Sequence, residues 1–220
     1  MKNNETLQND VMDAIKWEPF LKAAEIGVTA KDGVVTLSGK VDSYYKKKEA
    51  EEAAKRVSGV KVVIENILIQ TGTNFVKEDT DIANEIILAF QKNWEVPSEK
   101  LKVRVENGWV TLEGEVEWNY QKVSAMNAIV HLTGVTGVTN DISIHSTNTD
   151  EIEKVEVEHA LNLNWALANR EIDVKVSHNR MSLNGTVHSW YEKEEAERVA
   201  WKTPGVLNVI NELQIAYSFA

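Results

Sequence analysis

A seven-residue segment occurs three times in this chain and limits what the chain can fold into. It is Val-Thr-Leu-Ser-Gly-Lys-Val at residues 35–41, Val-Thr-Leu-Glu-Gly-Glu-Val at 110–116 and Met-Ser-Leu-Asn-Gly-Thr-Val at 181–187. Its glycines are Gly39, Gly114 and Gly185. A Gly-Val pair follows each of them after 20 residues, at Gly59, Gly134 and Gly205. One spacing kept three times in 220 residues indicates a triplicated unit of about 70 residues.

Aligning the three copies with one another gives the order of secondary-structure elements in one unit. Apolar residues first recur with helical spacing, as at Ile82, Ile86 and Phe90. A segment of alternating apolar residues follows, and in two copies it ends in Asp-Gly or Asn-Gly, which is typical of a tight hairpin. In the third copy we expect Asn179 to replace that glycine. The repeated segment is then the return strand of the hairpin.

A second helix and a last strand complete the unit. Alanine recurs on one face of this helix, and the helix ends at the second glycine of each copy, where a left-handed cap is expected. A right-handed crossover would put the last strand parallel to the second. The sequence therefore predicts an α+β fold of three tandem α-β-β-α-β units, each a three-stranded mixed sheet with two helices on one face. The predicted domains are residues 1–72, 78–146 and 150–217.

The composition argues against several kinds of site. The chain has no cysteine, so disulfides, thiolate metal centres, cysteine nucleophiles and a lipoprotein anchor are not expected. Its net charge of −10 argues against a nucleic-acid partner. None of the five histidines recurs between copies or has metal-ligand spacing, and no phosphate loop or Gly-x-Ser-x-Gly elbow occurs. We predict no catalytic residue, no metal site and no cofactor.

The recurring residues resemble the BON domain, a family named for bacterial osmotically inducible and nodulation proteins. The resemblance rests on the Val-x-Leu-x-Gly-x-Val segment, a following lysine, an alanine-rich helix, the Gly-Val pair and an asparagine in the last strand. The lysines are Lys47, Lys122 and Lys193. The asparagines are Asn140 and Asn211, whereas Glu65 stands at that position in the first copy. The three copies cover nearly the whole chain.

The resemblance implies binding modules, often for phospholipid surfaces, found in periplasmic stress proteins, outer-membrane lipoproteins and channel-associated proteins. The chain is similar to osmotically inducible periplasmic members, but it begins without a signal peptide and contains no apolar run long enough for a membrane span. As written, the protein is expected in the cytoplasm, or in the periplasm if a leader preceded Met1. The six glycines named above are interpreted as structural.

The first copy carries the basic cluster of the chain. Its net charge is 0, whereas the second and third copies each carry −5. Lys46, Lys47 and Lys48 follow Tyr44 at the start of its second helix, and aromatic rings beside lysines suit a lipid interface. The alternative is an ordinary solvated helix face. On the first interpretation, an anionic surface meets the first copy.

Aromatic residues mark the same junction in the other two copies. Trp118 precedes Tyr120 in the second copy, and Trp190 precedes Tyr191 in the third. We predict that Trp118 and Trp190 contact lipid or a partner. The tyrosines of the junction either share that role or pack the helix onto the sheet. Trp201 is a further candidate for a contact between domains or between subunits.

Two functions remain open at this point. The first is a non-enzymatic, stress-associated protein that engages a phospholipid membrane surface or an envelope protein through its BON domains. The alternative is a cytoplasmic protein that senses a small ligand or a cation such as K⁺, which the acidic second and third copies would favour. The oligomeric state and the arrangement of the domains are not predicted.

Overall fold

The computed structural model describes residues 3–70, 77–145, 152, 154–168, 170–203 and 205–216. Each repeat has the order α-β-β-α-β, as predicted. The segments that join one repeat to the next, residues 71–76 and 146–150, lie outside the described residues. Among the described residues, no helix is both long enough and apolar enough to cross a lipid bilayer.

The elements of the first repeat are α1 (Asn4–Lys16), β1 (Ile26–Lys31), β2 (Val34–Val41), α2 (Tyr44–Lys55) and β3 (Val62–Ile69). Those of the second are α3 (Asp79–Lys92), β4 (Leu101–Glu106), β5 (Trp109–Val116), α4 (Asn119–Ile129) and β6 (Gly137–Ile144). Those of the third are α5 (Lys154–Leu163), β7 (Ile172–Ser177), β8 (Arg180–Val187), α6 (Trp190–Ala200), β9 (Asn208–Asn211) and β10 (Gln214–Ile215). Short 3-10 helices precede β1 and β4, at Ala23–Glu25 and Ser98–Lys100.

The repeated segment forms the central strand of each sheet. In the second repeat, β5 is antiparallel to β4 and parallel to β6, and Leu112 lies opposite Val103 on one side and Asn140 on the other. The third repeat has the same pairing around β8. The predicted mixed sheet with a parallel last strand is therefore confirmed.

The last strand of the third repeat is interrupted, which the sequence analysis did not predict. β9 ends at Asn211, and β10 resumes at Gln214. Between them the side chain of Leu213 is buried in the core of the repeat. The Glu212 amide still donates to the Leu183 oxygen at 2.9 Å, so the chain stays on the sheet across the break.

The second and third repeats each have an apolar core cluster formed by the sheet and the two helices. In the second repeat, α3 contributes Ile82, Ile86 and Phe90, which are all buried, as their helical spacing predicts. Ala125 and Ile129 of α4 pack against them in the same cluster. By their contacts, the residues form two compact units. One holds most of the first repeat with the third, and the other holds the second repeat with residues 39–48 and 67–70 of the first.

The hairpin turns need left-handed backbone, and this corrects one expectation. Asp32 and Asn107 have φ of 53° and 52°, and a glycine with positive φ follows each. In the third repeat the left-handed residue is His178, with φ 55°, and not Asn179. Asn179 instead uses its side chain, whose Nδ2 donates to the Gly205 oxygen at 2.7 Å.

The glycine of the repeated segment is required by a close approach of two backbones. Gly114 has φ of 136°, and a Cβ there would run into the Lys100 backbone oxygen. Gly185 has φ of 130°, and its Cβ would meet the Glu171 oxygen in the same way. Only glycine fits such a position without strain.

The first helix is tied to the hairpin turn by a side chain at its start. The two carboxylate oxygens of Asp79 accept hydrogen bonds from the Asn107 and Gly108 amides, both at 2.8 Å. In the first repeat, Asn4 Oδ1 accepts from the Asp32 amide at 2.9 Å. The acidic start of α3 therefore also positions the hairpin.

Candidate functional site

The basic cluster of the first repeat is engaged in contacts of its own repeat. Lys46 Nζ lies 2.6 Å from Asp42 Oδ2, and this hydrogen bond lowers the pKa of the Asp42 carboxyl although slight burial opposes the shift. Lys47 Nζ donates to the Ile67 backbone oxygen at 3.1 Å. Lys48 is half-buried. A lipid contact by these three lysines stays a prediction.

The lysine at the position of Lys47 has one structural role in all three repeats. Lys122 donates to the Ile142 oxygen at 2.6 Å, and Lys193 donates to the Leu213 oxygen at 2.7 Å. Each bond joins the second helix of a repeat to its last strand or, at Leu213, to the break within that strand. Sequence reasoning noted the recurring lysine but did not predict this bond.

The asparagine of the last strand completes the same connection in two repeats. Asn140 Nδ2 donates to the Lys122 backbone oxygen at 3.1 Å, and Asn211 Nδ2 donates to the Lys193 oxygen at 2.8 Å. The lysine side chain of the helix thus donates to a backbone oxygen of the last-strand segment, and the asparagine side chain of the strand donates to a backbone oxygen of the helix. The recurrence of these two residue types is accounted for by structure and needs no ligand.

The aromatic junction of the first repeat faces the second repeat. Tyr44 is half-buried and packs against the core cluster of the second repeat. The Tyr45 ring lies 4.2 Å from the His131 ring between centroids, at an interplanar angle of 42°. His131 lies two residues after α4 ends at Ile129. Tyr44, a predicted lipid or partner residue, therefore contacts a neighbouring repeat.

The aromatic junction of the third repeat faces the first repeat. Trp190 Nε1 donates to the Lys61 backbone oxygen at 3.0 Å. Lys193 Nζ lies 5.8 Å from the centre of the Trp190 ring. Nearby, Lys55 Nζ and Glu194 Oε1 lie 3.7 Å apart. Trp190 is therefore half-buried at a contact between two repeats.

The aromatic junction of the second repeat is exposed. Trp118 precedes α4, and the Gln121 side chain accepts a hydrogen bond from the Trp118 amide at 3.0 Å. The Trp118 side chain is 36% exposed and Tyr120 is 50% exposed. Trp201, at the end of α6, packs partly on the core of its own repeat. Among the predicted aromatic contacts, Trp118 is thus the exposed one.

A second set of tryptophans, one in each repeat, is far more exposed. Trp17, Trp94 and Trp165 lie in the loops that follow the first helix of each repeat, and they are 85%, 87% and 83% exposed. These three residues were not among the predicted site residues. Their recurrence after an amphipathic helix, outside its apolar positions, was the signal that could have identified them.

Side-chain bonds fasten each of these loops to the second helix of its repeat. Next to Trp94, Glu95 Oε2 accepts from Ser124 Oγ at 2.5 Å. Next to Trp165, Asn164 Nδ2 donates to Glu195 Oε1 at 2.6 Å. Next to Trp17, Glu18 Oε1 accepts from Arg56 at 2.9 Å. Each loop also contains a buried apolar side chain, at Leu21, Val96 and Leu167. The indoles are thus held outward by anchored loops.

The described residues were expected to contain no metal site, and the acidic residues and histidines can be compared with that expectation. Within that part of the chain, no group of three or more His, Asp or Glu side chains is placed to hold a metal ion. The histidines are dispersed: His131, His145, His159 and His178 are exposed, and His188 is half-buried. The recurring glycines Gly59, Gly134 and Gly205 have a structural role, because all three adopt positive φ where the second helices end.

Comparison with known proteins adds three findings. The family model of the BON domain matches residues 3–71, 78–146 and 149–217. Osmotically-inducible protein Y of Escherichia coli (strain K12) is 33% identical over 126 residues, which is 56% of this chain. That match spans 63% of the relative, or less than two thirds of its length. Two structures of CdsD, a structural protein of the type III secretion system of Chlamydia trachomatis, align over 96% and 98% of this chain, and cover 93% and 100% of their own chains. They do so at 19% and 18% identity and a TM-score of 0.26.

Proposed function

Because this chain belongs to the BON domain family and carries three tandem copies of the domain, we propose that it is a non-enzymatic, stress-associated protein that attaches to phospholipid surfaces. The observation that carries the proposal is the outward tryptophan of each repeat, at Trp17, Trp94 and Trp165. The stress association follows the similarity to osmotically-inducible protein Y.

Tryptophan is costly to leave in water and well suited to a membrane surface. Its ring is large and apolar, while its N–H can bond to headgroups or water, so it concentrates at the boundary between lipid and water. Ordinary surface positions rarely expose a whole indole, and here the same loop does so three times. Each repeat of the chain thus carries its own candidate for insertion into lipid.

The anchoring of the loops supports the same function. A ring on a mobile loop loses conformational freedom when it binds, whereas a ring on a fixed loop loses little. The hydrogen bonds from Ser124 to Glu95 and from Asn164 to Glu195 fix two of the three loops at part-buried positions. These tryptophans are therefore preorganised for contact.

The charge of the chain predicts which kind of lipid is preferred. With a net charge of −10, the protein gains little from the negative potential of anionic headgroups. Insertion of indoles needs no such attraction. We therefore expect attachment to zwitterionic vesicles that changes little with salt, in contrast to the steep salt dependence of a purely electrostatic contact.

Co-sedimentation of the full chain with phosphatidylcholine vesicles tests the proposal. Wild type should bind, and the triple variant W17S/W94S/W165S should bind at least about tenfold more weakly, since three apolar rings are removed. The triple variant W17Y/W94Y/W165Y is the matched control, because tyrosine keeps an aromatic ring with a polar end and should retain most binding. Unchanged thermal unfolding would show that all three proteins are folded.

Two results would refute the proposal: no attachment of wild type to vesicles at low salt, or attachment that the serine variant does not weaken. Vesicles with added phosphatidylglycerol test the basic cluster separately. If Lys46 and Lys48 face the lipid, wild type should bind these vesicles more tightly than phosphatidylcholine alone, and K46E/K48E should lose that increase while its binding to phosphatidylcholine persists. Lys47 is left intact because it bonds to Ile67.

A further inference from the structure

We propose that two copies of this chain associate through the outer face of the first repeat's sheet. In this sheet β2 lies between β1 and β3, and alternate residues of the three strands point into the core. The residues between them point to the other side of the sheet and form the outer face. This face holds none of the exposed tryptophans, so the inference does not depend on attachment to lipid.

The outer face is apolar along β3. Val62 and Ile64 point outward from this strand and are 48% and 43% exposed. The Val62 amide donates to the Gly33 oxygen at 3.3 Å, which places Val34 of β2 beside Val62. A strand at the edge of a sheet is usually protected by charged side chains or proline, and β3 has neither at these outward positions. Such a surface is typical of a contact with another protein chain.

The other two repeats carry charges where the first repeat does not. Three successive outward positions on each strand give nine per repeat, which in the first repeat are residues 27, 29, 31, 34, 36, 38, 62, 64 and 66. Lys31 is the one charged residue among them. At the equivalent positions the second repeat has Lys102, Arg104, Glu106, Glu113 and Asp141. The third has Asp173, Lys175, Arg180 and Glu212. The outer face of the first repeat is therefore the one suited to an apolar contact.

The shape of the outer face makes it complementary to a second copy of itself. Its β1 edge is low, because the outward residues there include Gly27, which has no side chain, and Thr29. Ser38 of β2, another small residue, places its Oγ atom 3.5 Å from the Gly27 oxygen. The β3 edge is raised by Val62 and Ile64. A two-fold axis parallel to the strands would lay the raised edge of each copy on the low edge of the other.

The distribution of charge also favours the first repeat as the place where two copies meet. The first repeat has a net charge of 0, whereas the second and third each carry −5. Contacts through the second or third repeats would bring like charges together, but two first repeats can meet without net repulsion. Lys31 lies at the end of β1, and its long apolar stem can cover Val62 of the other copy while its ammonium group stays in water.

The size of the outer face predicts a weak dimer. Three strands with five residues each cover about 14 Å by 17 Å of sheet. That is less than the surface that a specific and stable interface buries, so the association should be reversible. We expect a dissociation constant of about 10–100 µM. Because the face meets its own equivalent, the assembly closes as a dimer and adds no further copies.

Sedimentation velocity of the full chain without lipid tests the association. Wild type should shift from monomer to dimer, and not beyond, as the concentration rises from micromolar to near-millimolar. I64E should associate at least about tenfold more weakly, because its carboxylate would be buried against the other copy. I210E is the matched control, since Ile210 is the same outward position in the third repeat and is 37% exposed. I210E should associate like wild type, and thermal unfolding checks that both variants fold.

Thiol cross-linking tests which face is used. The chain has no cysteine, so T36C introduces a single thiol on the outer face of the central strand β2, close to the proposed axis. A bismaleimide with a reach of about 10 Å, the distance at which two sheets pack face to face, should join two copies of T36C. S182C is the control, because Ser182 is the same position in the third repeat and is equally half-buried. It should give little covalent dimer, and T36C/I64E should lose the cross-link.

A wild type that stays monomeric at every concentration would overturn the inference. So would a dimer that I64E and I210E weaken equally, or cross-linking of S182C as efficient as that of T36C.

Discussion

Lys122 donates a hydrogen bond from its Nζ atom to the Ile142 backbone oxygen at 2.6 Å, and so joins the second helix of its repeat to the last strand. The same bond occurs from Lys47 and from Lys193. A charged donor holds a part-buried carbonyl in each repeat. The lysine is therefore a structural residue of this fold, whatever the protein binds.

We expect K122M to destabilise the second repeat by about 1–3 kcal/mol, because the Ile142 oxygen loses a charged partner while the apolar stem of the side chain is kept. Urea unfolding followed by circular dichroism measures the change. K102M is the matched control, since Lys102 is an exposed lysine on β4, and its loss should change stability by less than about 0.5 kcal/mol. Equal effects of the two substitutions would contradict this role.

We expect G114A to be more destabilising than an ordinary glycine substitution, by at least about 2 kcal/mol, because positive φ and contact with the Lys100 oxygen both oppose a Cβ. G27A serves for comparison. Gly27 also lies in a strand, but its Cβ would meet chiefly the Ser38 hydroxyl, at 3.0 Å, and no left-handed backbone is involved. The same urea experiment compares them, and a smaller effect of G114A than of G27A would refute the explanation.

We expect the third repeat to be sensitive to acid through Glu192. Partial burial opposes ionisation of this carboxyl, but hydrogen bonds from Arg170, both at 2.8 Å, and from the His188 amide outweigh it and lower the pKa below its usual 4.5. A lowered pKa in the folded state means that this stabilisation is complete above about pH 4.5 and is lost as the pH falls through the folded-state value.

The variant E192Q isolates that contribution, and Gln121 is the natural counterpart of Glu192 in the second repeat. We expect E192Q to be less stable than wild type at pH 7, by about 1–2 kcal/mol, and to lose less stability between neutral and acid pH. Thermal unfolding at several pH values measures both. Parallel curves for the two proteins would show that another group controls the acid transition.

We expect H178N to stabilise the third repeat by about 0.5 kcal/mol. His178 has φ of 55°, and asparagine, which the second repeat has at this position, tolerates left-handed backbone better than histidine. The melting temperature of H178N should rise, whereas the reverse substitution N107H should lower it. A fall for H178N would indicate that the histidine ring makes a contact which outweighs the backbone term.

The repeats, the order of elements and the mixed sheet could be predicted because each depends on local pattern. Gly39, Gly114 and Gly185 stand out in the sequence, and Asp-Gly or Asn-Gly marks two of the three turns. The break after Asn211 could not be predicted, since Leu213 turns into the core only in the folded repeat. His178 was missed because asparagine, its neighbour, is the usual substitute for glycine.

The candidate site was harder to predict, because the sequence does not show whether a given side chain is exposed or packed against a neighbouring repeat. Trp190 and Trp118 look alike in sequence, yet the first donates to Lys61 and the second is exposed. Lys47 looks like a surface lysine but bonds to Ile67. The tryptophans that follow the first helices were not predicted as site residues, because large aromatic residues are expected to be at least half-buried and these three are exposed.

The hydrogen bonds that the Asp79 carboxylate accepts make local opening of the second repeat observable by hydrogen exchange. The amide protons of Asn107 and Gly108 point into that carboxylate, although both residues belong to a surface turn. They should exchange with deuterium only when the start of α3 lifts away. The exchange rates of these two amides therefore measure how often the start of α3 separates from the turn, although Asp79 lies 28 positions before Asn107 in the chain.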